Sequence, residues 1–264
     1  MTAGVLERRE ITVRGLHISY LVKGAAGPVT LYLHGLGADA AQTRPLASGV
    51  PGRSVLIDLP SHGSSSDAPE PIGFADLVEI ARMVSRAEGA TQALGVSLGS
   101  AVLLRWLITY PDDLTRVVLY LPAAVTRPRP AGRLRAALAS TDALHEYVAG
   151  ELPEYVAQTP LAQRWLAARS QALVRPGIQA YAAMLEGEAP VDDPARARAV
   201  TTEVLTVGAQ GDLLHPAAAA TEAAGCFPHG SAHIFQQAAP LWSARRELRR
   251  IISGFLGDSD TVDA

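Results

Sequence analysis

The sequence predicts an α/β protein with a mostly parallel, eight-stranded sheet, helices on both faces and one all-helical insertion. Three observations support this fold class. Continuous apolar runs of strand length alternate with helical segments, which is typical of parallel strands buried on both faces. Residues 11–22 instead alternate apolar and polar side chains around Arg14-Gly15, which indicates an antiparallel hairpin. No strand pattern occurs between Ala124 and Val200.

The predicted strands and helices follow one another along the chain. After the hairpin, the apolar strand segments are Val29–Leu33, Val55–Leu59, Ala93–Val96, Val117–Leu121, Val204–Val207 and Ala232–Phe235. A helix is predicted over residues 73–88, because Phe74, Leu77, Ile80, Ala81 and Val84 fall on one face. Further helices are predicted over Leu98–Tyr110, which ends at Pro111, and over Leu241–Leu256.

The domain organisation follows from the interruption in this alternation. The segment between Ala124 and Val200 is rich in Ala, Leu and Arg and is broken by several prolines, which predicts an all-helical insertion. We therefore expect a core formed by residues 1–124 and 201–256, with a helical cap over 125–200. The last residues, 257–264, are acidic and lack apolar periodicity, so they are expected to be a flexible tail.

Composition excludes several classes of protein. Of the 264 residues, 48% are hydrophobic and 19% are charged, which is typical of a packed globular protein. A net charge of −3 without a basic run argues against a nucleic-acid partner. Cys226 is the single cysteine, and residues 1–10 are polar, so no internal disulfide and no secretory leader are expected. We expect a soluble cytoplasmic protein without a membrane span, whose oligomeric state the sequence leaves open.

A nucleophile motif lies between a predicted strand and a predicted helix. Gly95-Val96-Ser97-Leu98-Gly99 fits the pattern G-x-S-x-G. A serine on such a sharp turn needs glycine two residues to either side, because a larger side chain would collide with the neighbouring strand or helix. The turn exposes the serine hydroxyl at the carboxyl edge of the sheet, where it can act as a nucleophile.

With this motif the chain resembles the α/β-hydrolase superfamily, over its whole length except the acidic tail. His34-Gly35-Leu36-Gly37 matches the HGxG turn of the family, and the loop over residues 58–65 matches its D-x-x-G-H-G-x-S pattern, with Ser61 in place of the usual glycine. Gly208-Ala209-Gln210-Gly211-Asp212 matches the loop that carries the family's catalytic acid. The subgroup that it most resembles is that of small-cap esterases and lactonases.

The resemblance implies a role for each matched position. Ser97 is then the nucleophile, the backbone N–H groups of Leu36 and Leu98 form the oxyanion hole, and Asp212 orients a histidine. In the family that histidine lies in the loop after the eighth strand. Here the aligned position holds Ala238, within Gln236-Gln237-Ala238-Ala239-Pro240, so the chain lacks a histidine where the family has its base.

The other histidines fit the role of base less well from sequence. His215 follows Asp212 by three residues and is expected to begin a helix, so it is a minor candidate that could lie near the site. His34 and His62 belong to turns that resemble structural anchors of the family. His229 and His233 lie before and within the last strand, away from its carboxyl end.

Three explanations of Ala238 remain open at this level. The alanine could be an introduced substitution in a parent with histidine there, which would cripple turnover by about six orders of magnitude. Alternatively, the natural protein could use the pocket for non-hydrolytic work, such as a cyclisation, conjugate addition or elimination. A third explanation is a ligand-binding pseudo-hydrolase, although the retained Ser97 and Asp212 argue against long drift.

The insertion is expected to form the roof of a substrate pocket over Ser97. Its large apolar residues exceed what short helices need for mutual packing, which predicts an apolar pocket for a small apolar or aromatic substrate. The predicted pocket residues are Tyr147, Tyr155, Trp165, Tyr181 and Met184 from the insertion, and His34, Gly35, Leu121, Pro122 and Trp242 from the core. No dinucleotide motif, P-loop or paired-histidine spacing occurs, so no cofactor or metal is expected.

Overall fold

The computed structural model describes residues 6–24 and 26–257, and within them a single eight-stranded sheet in the order β1-β2-β4-β3-β5-β6-β7-β8. The hairpin of β1 and β2 pairs antiparallel to its neighbours, whereas β3 to β8 are parallel to one another. The strands are β1 Glu7–Val13, β2 Leu16–Lys23, β3 Val29–Leu33, β4 Arg53–Ile57, β5 Gln92–Val96, β6 Arg116–Tyr120, β7 Glu203–Ala209 and β8 Gly230–Phe235. The predicted fold class is confirmed.

Helices cover both faces of this sheet. Those that alternate with the strands are α1 Ala40–Ala47, α2 Phe74–Glu88, α3 Leu98–Thr109 and α10 Ala217–Cys226, and the chain continues after β8 into α11 Pro240–Ser243 and α12 Arg245–Gly257. Between β6 and β7 lie α4 Gly132–Ala137, α5 Thr141–Ala149, α6 Glu154–Ala157, α7 Pro160–Leu173, α8 Ile178–Gly187 and α9 Pro194–Ala197.

The two faces of the sheet carry two separate apolar clusters. Strand β3 illustrates the division, because Leu31 and Leu33 pack into the cluster formed with α2 and α3, whereas Tyr32 packs into the opposite one. In the first cluster Trp106 of α3 is fully buried, and in the second Ile252 of α12 is fully buried. All five apolar positions predicted for the buried face of α2 are buried.

The structure differs from the sequence prediction in three helices. Helix α1, which contains Pro45, was not predicted, because it has no pronounced amphipathic pattern. The helix that was expected to begin at His215 is α10, which begins only at Ala217. The helix predicted over Leu241–Leu256 is two helices, since Ala244 leaves the helical conformation at φ −136° between them. The short α11 places Leu241 and Trp242 at the carboxyl edge of the sheet, beside the site described below.

The segment between β6 and β7 contains helices and no strand, as predicted. It contacts the core through the hydroxyl of Tyr181, which donates to the Pro60 carbonyl at 2.7 Å, and through an ion pair between Arg105 and Asp192. The domain boundaries at 124 and 200 stay a prediction. The predicted tail at 257–264 falls, apart from Gly257, outside the described residues.

Candidate active site

Ser97 occupies a sharp turn between β5 and α3 at the carboxyl edge of the sheet. Its backbone has φ 49°, in the left-handed region that a non-glycine residue rarely adopts. A Cβ on Gly95 would lie 2.4 Å from the Gly99 carbonyl carbon, and a Cβ on Gly99 would lie 2.3 Å from the Leu33 oxygen. Both glycines of the motif are therefore required for the turn that presents the Ser97 side chain.

A histidine contacts this serine directly. The Nε2 of His215 lies 2.9 Å from Ser97 Oγ, although 118 positions separate the two residues in the sequence. On the other side of the ring, Nδ1 lies 3.2 and 3.1 Å from the two carboxylate oxygens of Asp212. All three side chains are nearly buried. The three groups form a continuous hydrogen-bonded chain of hydroxyl, imidazole and carboxylate, which is the arrangement of a Ser-His-Asp triad.

The loop between β7 and α10 holds Asp212 and His215 together. The Asp212 Oδ1 accepts hydrogen bonds from the backbone N–H groups of Leu214 and His215, each at 2.9 Å. An aspartate that folds back onto N–H groups two and three residues ahead is a common local turn. Because Pro216 follows, His215 is disfavoured in the helical conformation, and α10 begins only at Ala217.

The histidine in contact with Ser97 is therefore His215, which the sequence indicated only as a minor candidate. Ala238 lies in the loop after β8, as expected, where its carbonyl accepts a hydrogen bond from Ser243. The imidazole comes instead from the loop after β7, three residues beyond the acid. The sequence does contain a signal for this contact between Asp212 and His215, since an Asp-x-x-His-Pro segment that follows a buried strand can fold back on itself.

The protonation state of this chain of groups follows from its contacts. Burial alone would raise the pKa of Asp212, but the hydrogen bond and charge of His215, together with the two backbone N–H groups, hold it below its ordinary value. An ionised Asp212 accepts the proton on Nδ1 of His215. The Nε2 atom is then a free acceptor for the Ser97 hydroxyl proton, which is the arrangement that general base catalysis requires.

Two backbone N–H groups lie beside Ser97. Leu36 and Leu98 line one small cavity together with Ser97. Within the described part of the chain neither backbone nitrogen donates to a protein acceptor. Leu98 is the first residue of α3, where the N–H groups have no partner within the helix and the helix dipole favours negative charge. These positions are those expected for an oxyanion hole, and that role stays a prediction.

Two buried histidines hold the loops around Ser97 in place. His34 Nδ1 donates to the Gly35 carbonyl at 2.8 Å, and its Nε2 accepts the N–H of Leu59 at 3.0 Å. His62 likewise bonds the Pro60 carbonyl at 2.7 Å and the N–H of Gly37 at 3.0 Å. Burial lowers the pKa of both rings, so both are neutral. They are structural anchors, as the resemblance implied, and neither contacts Ser97 among the hydrogen bonds of the described residues.

The main cavity beside the catalytic groups has a volume of about 100 Å³ and a mostly apolar wall. Trp165 of the insertion and Trp242 of the core meet edge to face across it, with ring centroids 6.1 Å apart. The residues that line it are His34, Gly35, Ala38, Gln42, Thr43, Leu46, Val96, Ser97, Tyr120, Leu121, Glu151, Leu152, Trp165, Arg169, Asp212, His215, Ala239, Leu241 and Trp242.

Half of the predicted pocket residues lie on this cavity and half do not. His34, Gly35, Leu121, Trp165 and Trp242 line it. Pro122 does not, and Tyr147 lines two neighbouring cavities, the smaller of which is also lined by Ser97.

The remaining three predicted pocket residues lie elsewhere. Tyr155 is 63% exposed on the surface, so its prediction as a pocket residue is wrong. Tyr181 is fully buried against His62, with its hydroxyl bonded to the Pro60 carbonyl, and packs in the core instead. Met184 lines a different cavity beside Ile72.

Sequence reasoning did not predict the polar side of the cavity. Helix α1 contributes Gln42 and Thr43, while the insertion contributes Glu151 and Arg169.

Within residues 6–24 and 26–257, no cluster of three or more His, Cys, Asp or Glu side chains is arranged to hold a metal ion. In the same part of the chain, no helix is both long and apolar enough to cross a bilayer.

Comparison with known proteins bears on the family and the fold. The family model described as "Alpha/beta hydrolase family" matches residues 31–253. An enol-lactonase from Burkholderia xenovorans LB400 has a TM-score of 0.81 at 18% identity, covering 95% of this chain and 100% of that one. An esterase from Exiguobacterium antarcticum has a TM-score of 0.79 at 18% identity, covering 97% and 100%. A meta-cleavage product hydrolase from Pseudomonas fluorescens IP01 has a TM-score of 0.79 at 17% identity, covering 95% and 97%.

At these identities the solved structures show a shared fold and nothing finer. A comparison with curated protein sequences finds no match. The family match covers most of the chain and confirms the resemblance that the sequence motifs indicated.

Proposed function

The chain belongs to the alpha/beta hydrolase family, and we propose that it is an active serine hydrolase that cleaves an ester, lactone or thioester bond of a small apolar or aromatic molecule. The observation that carries the proposal is the 2.9 Å contact between His215 Nε2 and Ser97 Oγ, with Asp212 bonded to the other ring nitrogen. A serine hydroxyl becomes an effective nucleophile when a base at this distance accepts its proton.

The proposed reaction uses these groups in two steps. Ser97 Oγ attacks the carbonyl carbon of the substrate while His215 Nε2 takes the hydroxyl proton, and the Leu36 and Leu98 N–H groups bind the resulting oxyanion. Collapse of this tetrahedral intermediate breaks the bond to the alcohol or thiol, which leaves with the proton from His215. Water then attacks the acyl-serine and gives a proton to His215. When the bond from the acyl carbon to Ser97 Oγ breaks, His215 returns this proton to Oγ, which releases the carboxylic acid and regenerates Ser97.

The shape of the cavity supports the substrate class. Its wall is mostly apolar, and Trp165 and Trp242 offer two indole rings to a bound molecule. Apolar pockets with a few convergent polar groups are typical of sites for small organic molecules. The solved structures of similar fold include an esterase and an enol-lactonase, which act on bonds of the proposed kinds.

The two rival functions depended on a serine without a base. A non-hydrolytic enzyme would use the oxyanion hole to stabilise an enolate, and a pseudo-hydrolase would only bind its ligand. The contact between His215 and Ser97 favours hydrolysis over both, because neither rival needs a base aimed at the hydroxyl.

A labelling and turnover experiment tests the proposal. A fluorophosphonate probe should label Ser97 in the unaltered protein, and a panel of 4-nitrophenyl acyl esters should be hydrolysed. His215→Gln should lower kcat/KM by about four to six orders of magnitude, because the proton of Ser97 loses its acceptor. His229→Gln, at an exposed position, is the matched control and should leave kcat/KM unchanged.

The variant Ala238→His decides between the two positions for the base. We expect no gain in kcat/KM, because His215 already contacts Ser97. A gain of several orders of magnitude over an inert parent would assign the base to position 238 and refute the role of His215. An unaltered protein that neither labels nor turns over any ester would refute the hydrolase proposal itself.

A further inference from the structure

Two oppositely charged side chains lie in the roof of the cavity, close to the catalytic groups. Arg169 of α7 and Glu151, just after α5, line the main cavity, and both also line a smaller one; Ser97 and His215 line the same two cavities. The pair is joined by hydrogen bonds from Arg169 Nη2 and Nε to Glu151 Oε1, at 2.8 and 3.2 Å. Their side chains are only 10% and 12% exposed.

This ion pair leaves one donor and one acceptor unused. Both hydrogen bonds end on the same carboxylate oxygen, so Glu151 Oε2 has no partner within the described part of the chain, and neither has Arg169 Nη1. Neither atom is among the fully enclosed polar atoms that lack a partner, so both keep some accessible surface. Buried charges cost free energy unless their remaining polar atoms are satisfied, and a bound molecule in the cavity can do so.

The charge of the pair restricts what it can bind. An unpaired arginine in this position would favour a carboxylate or phosphate on the substrate. Here Glu151 cancels that charge, and an anionic group would have to approach the free Oε2 of the same carboxylate. A neutral group that both donates and accepts a hydrogen bond suits the free Arg169 Nη1 and Glu151 Oε2 together.

We propose that the Arg169–Glu151 pair is a substrate subsite for a neutral hydroxyl or amide group. The group accepts from Arg169 Nη1 and donates to Glu151 Oε2. It is carried by the substrate near the bond that is cleaved, because the pair and Ser97 line the same two cavities. The assignment rests on the proposed hydrolase function only in naming that bond, and it adds a polar requirement to an otherwise apolar substrate.

Ligand binding to Ser97→Ala tests the subsite without depending on catalysis. Three benzyl esters with matched acyl groups serve as probes: benzyl butyrate, benzyl 3-hydroxybutyrate and the benzyl hemiester of succinate. Binding is followed by tryptophan fluorescence, since Trp165 and Trp242 line the cavity. The hydroxylated ester should bind about tenfold more tightly than benzyl butyrate, as expected for hydrogen bonds to charged groups. The anionic hemiester should bind no more tightly than benzyl butyrate.

Replacing both members of the pair identifies the origin of this preference. Arg169→Met with Glu151→Leu, introduced into Ser97→Ala, avoids leaving a single charge buried and should abolish the tenfold difference. The matched control is Arg135→Gln with Glu186→Gln in the same background. That replacement removes another ion pair of the insertion, which lies on its exposed surface, and should preserve the difference. Thermal unfolding of each variant establishes that it is folded.

Several results would overturn the subsite. These are equal affinities for the plain and hydroxylated esters, tightest binding of the hemiester, no binding of any ester, or a preference that survives the double replacement. Fluorophosphonate labelling of the unaltered protein reports separately on the hydrolase proposal. A labelled serine without hydroxyl preference therefore refutes the subsite alone. A hydroxyl preference in a protein that neither labels nor turns over any ester refutes the hydrolase alone.

Discussion

Asp212→Asn tests whether the carboxylate sets the orientation and tautomer of His215. In the structure Asp212 Oδ1 accepts the backbone N–H groups of Leu214 and His215, and an asparagine carbonyl oxygen can take the same two hydrogen bonds. That choice places the asparagine NH2 where Oδ2 now lies, 3.1 Å from Nδ1 of His215. An NH2 group there needs an acceptor and lies nearer to Nδ1 than Oδ1 does, at 3.1 against 3.2 Å, so we expect the ring to move its proton to Nε2.

The consequence for catalysis is large, although the substitution changes no heavy-atom contact. With a proton on Nε2, His215 donates to Ser97 instead of accepting from it, and the hydroxyl loses its base. Loss of the correct tautomer in such a triad lowers turnover by about four orders of magnitude. This corresponds to about 5 kcal/mol of transition-state stabilisation, at roughly 1.36 kcal/mol for each factor of ten.

The assay is kcat/KM for a 4-nitrophenyl acyl ester, measured together with thermal unfolding. Since the turn keeps both backbone hydrogen bonds, the unfolding temperature should change little while kcat/KM collapses. Asp193→Asn is the matched control: Asp193 caps the short helix α9 by accepting from the Ala195 N–H, and asparagine caps equally well. A variant of Asp212 that keeps a tenth or more of the parent kcat/KM would refute the assigned role of the carboxylate.

Three further predictions follow from the loops and the cavity. Burial lowers the pKa of His34 and His62 in the folded state, so below about pH 6.5 the unfolded chain binds protons that the folded protein does not. The free energy of unfolding should therefore be highest above about pH 6.5 and fall below it by up to about 1.4 kcal/mol per histidine per pH unit. Urea unfolding at pH 7.5, 6.5 and 5.5 measures this, and a flat profile would contradict it. Gly99→Ala should lower the free energy of unfolding by about 3 kcal/mol, because its Cβ would overlap the Leu33 carbonyl, and a change within 0.5 kcal/mol, a rough threshold, would count against the steric argument. Trp242→Ala should lengthen the cavity and raise the kcat/KM ratio of octanoate to butyrate esters by about tenfold; an unchanged ratio would place the acyl chain elsewhere.

The sheet and the turn that carries Ser97 could be predicted from sequence because their signals are local. In a run such as Val29–Leu33 every residue except Thr30 is apolar or aromatic, since both faces of the strand are covered by helices. The turn at Ser97 was predictable because it tolerates only glycine at positions 95 and 99. The two glycines can therefore be recognised in the sequence itself. Asp212, the proposed acid, follows a buried strand, so its position at the sheet edge is fixed by β7.

The pocket was harder to predict because burial does not reveal which space a side chain faces. Tyr181 and Met184 lie on the buried face of α8, yet Tyr181 packs against a loop and Met184 lines another cavity. Periodicity also says nothing about pairs formed between helices. Arg169 and Glu151 are 18 positions apart and would each be assigned to a solvated surface from sequence alone, although the structure buries them against each other.

The proposed base, His215, lies on the same loop as Asp212, and this has a consequence for how the site can vary. With Asp212 and His215 on one loop, the geometry of acid and base is set by hydrogen bonds within four consecutive residues. The loop after β8, where the family's histidine was expected, carries no histidine and takes no part in the proposed proton transfer. Ala239, Leu241 and Trp242 from that region instead line the cavity. Substitutions after β8 should therefore change substrate preference through KM while leaving the base in place, whereas substitutions between 212 and 216 should act on kcat.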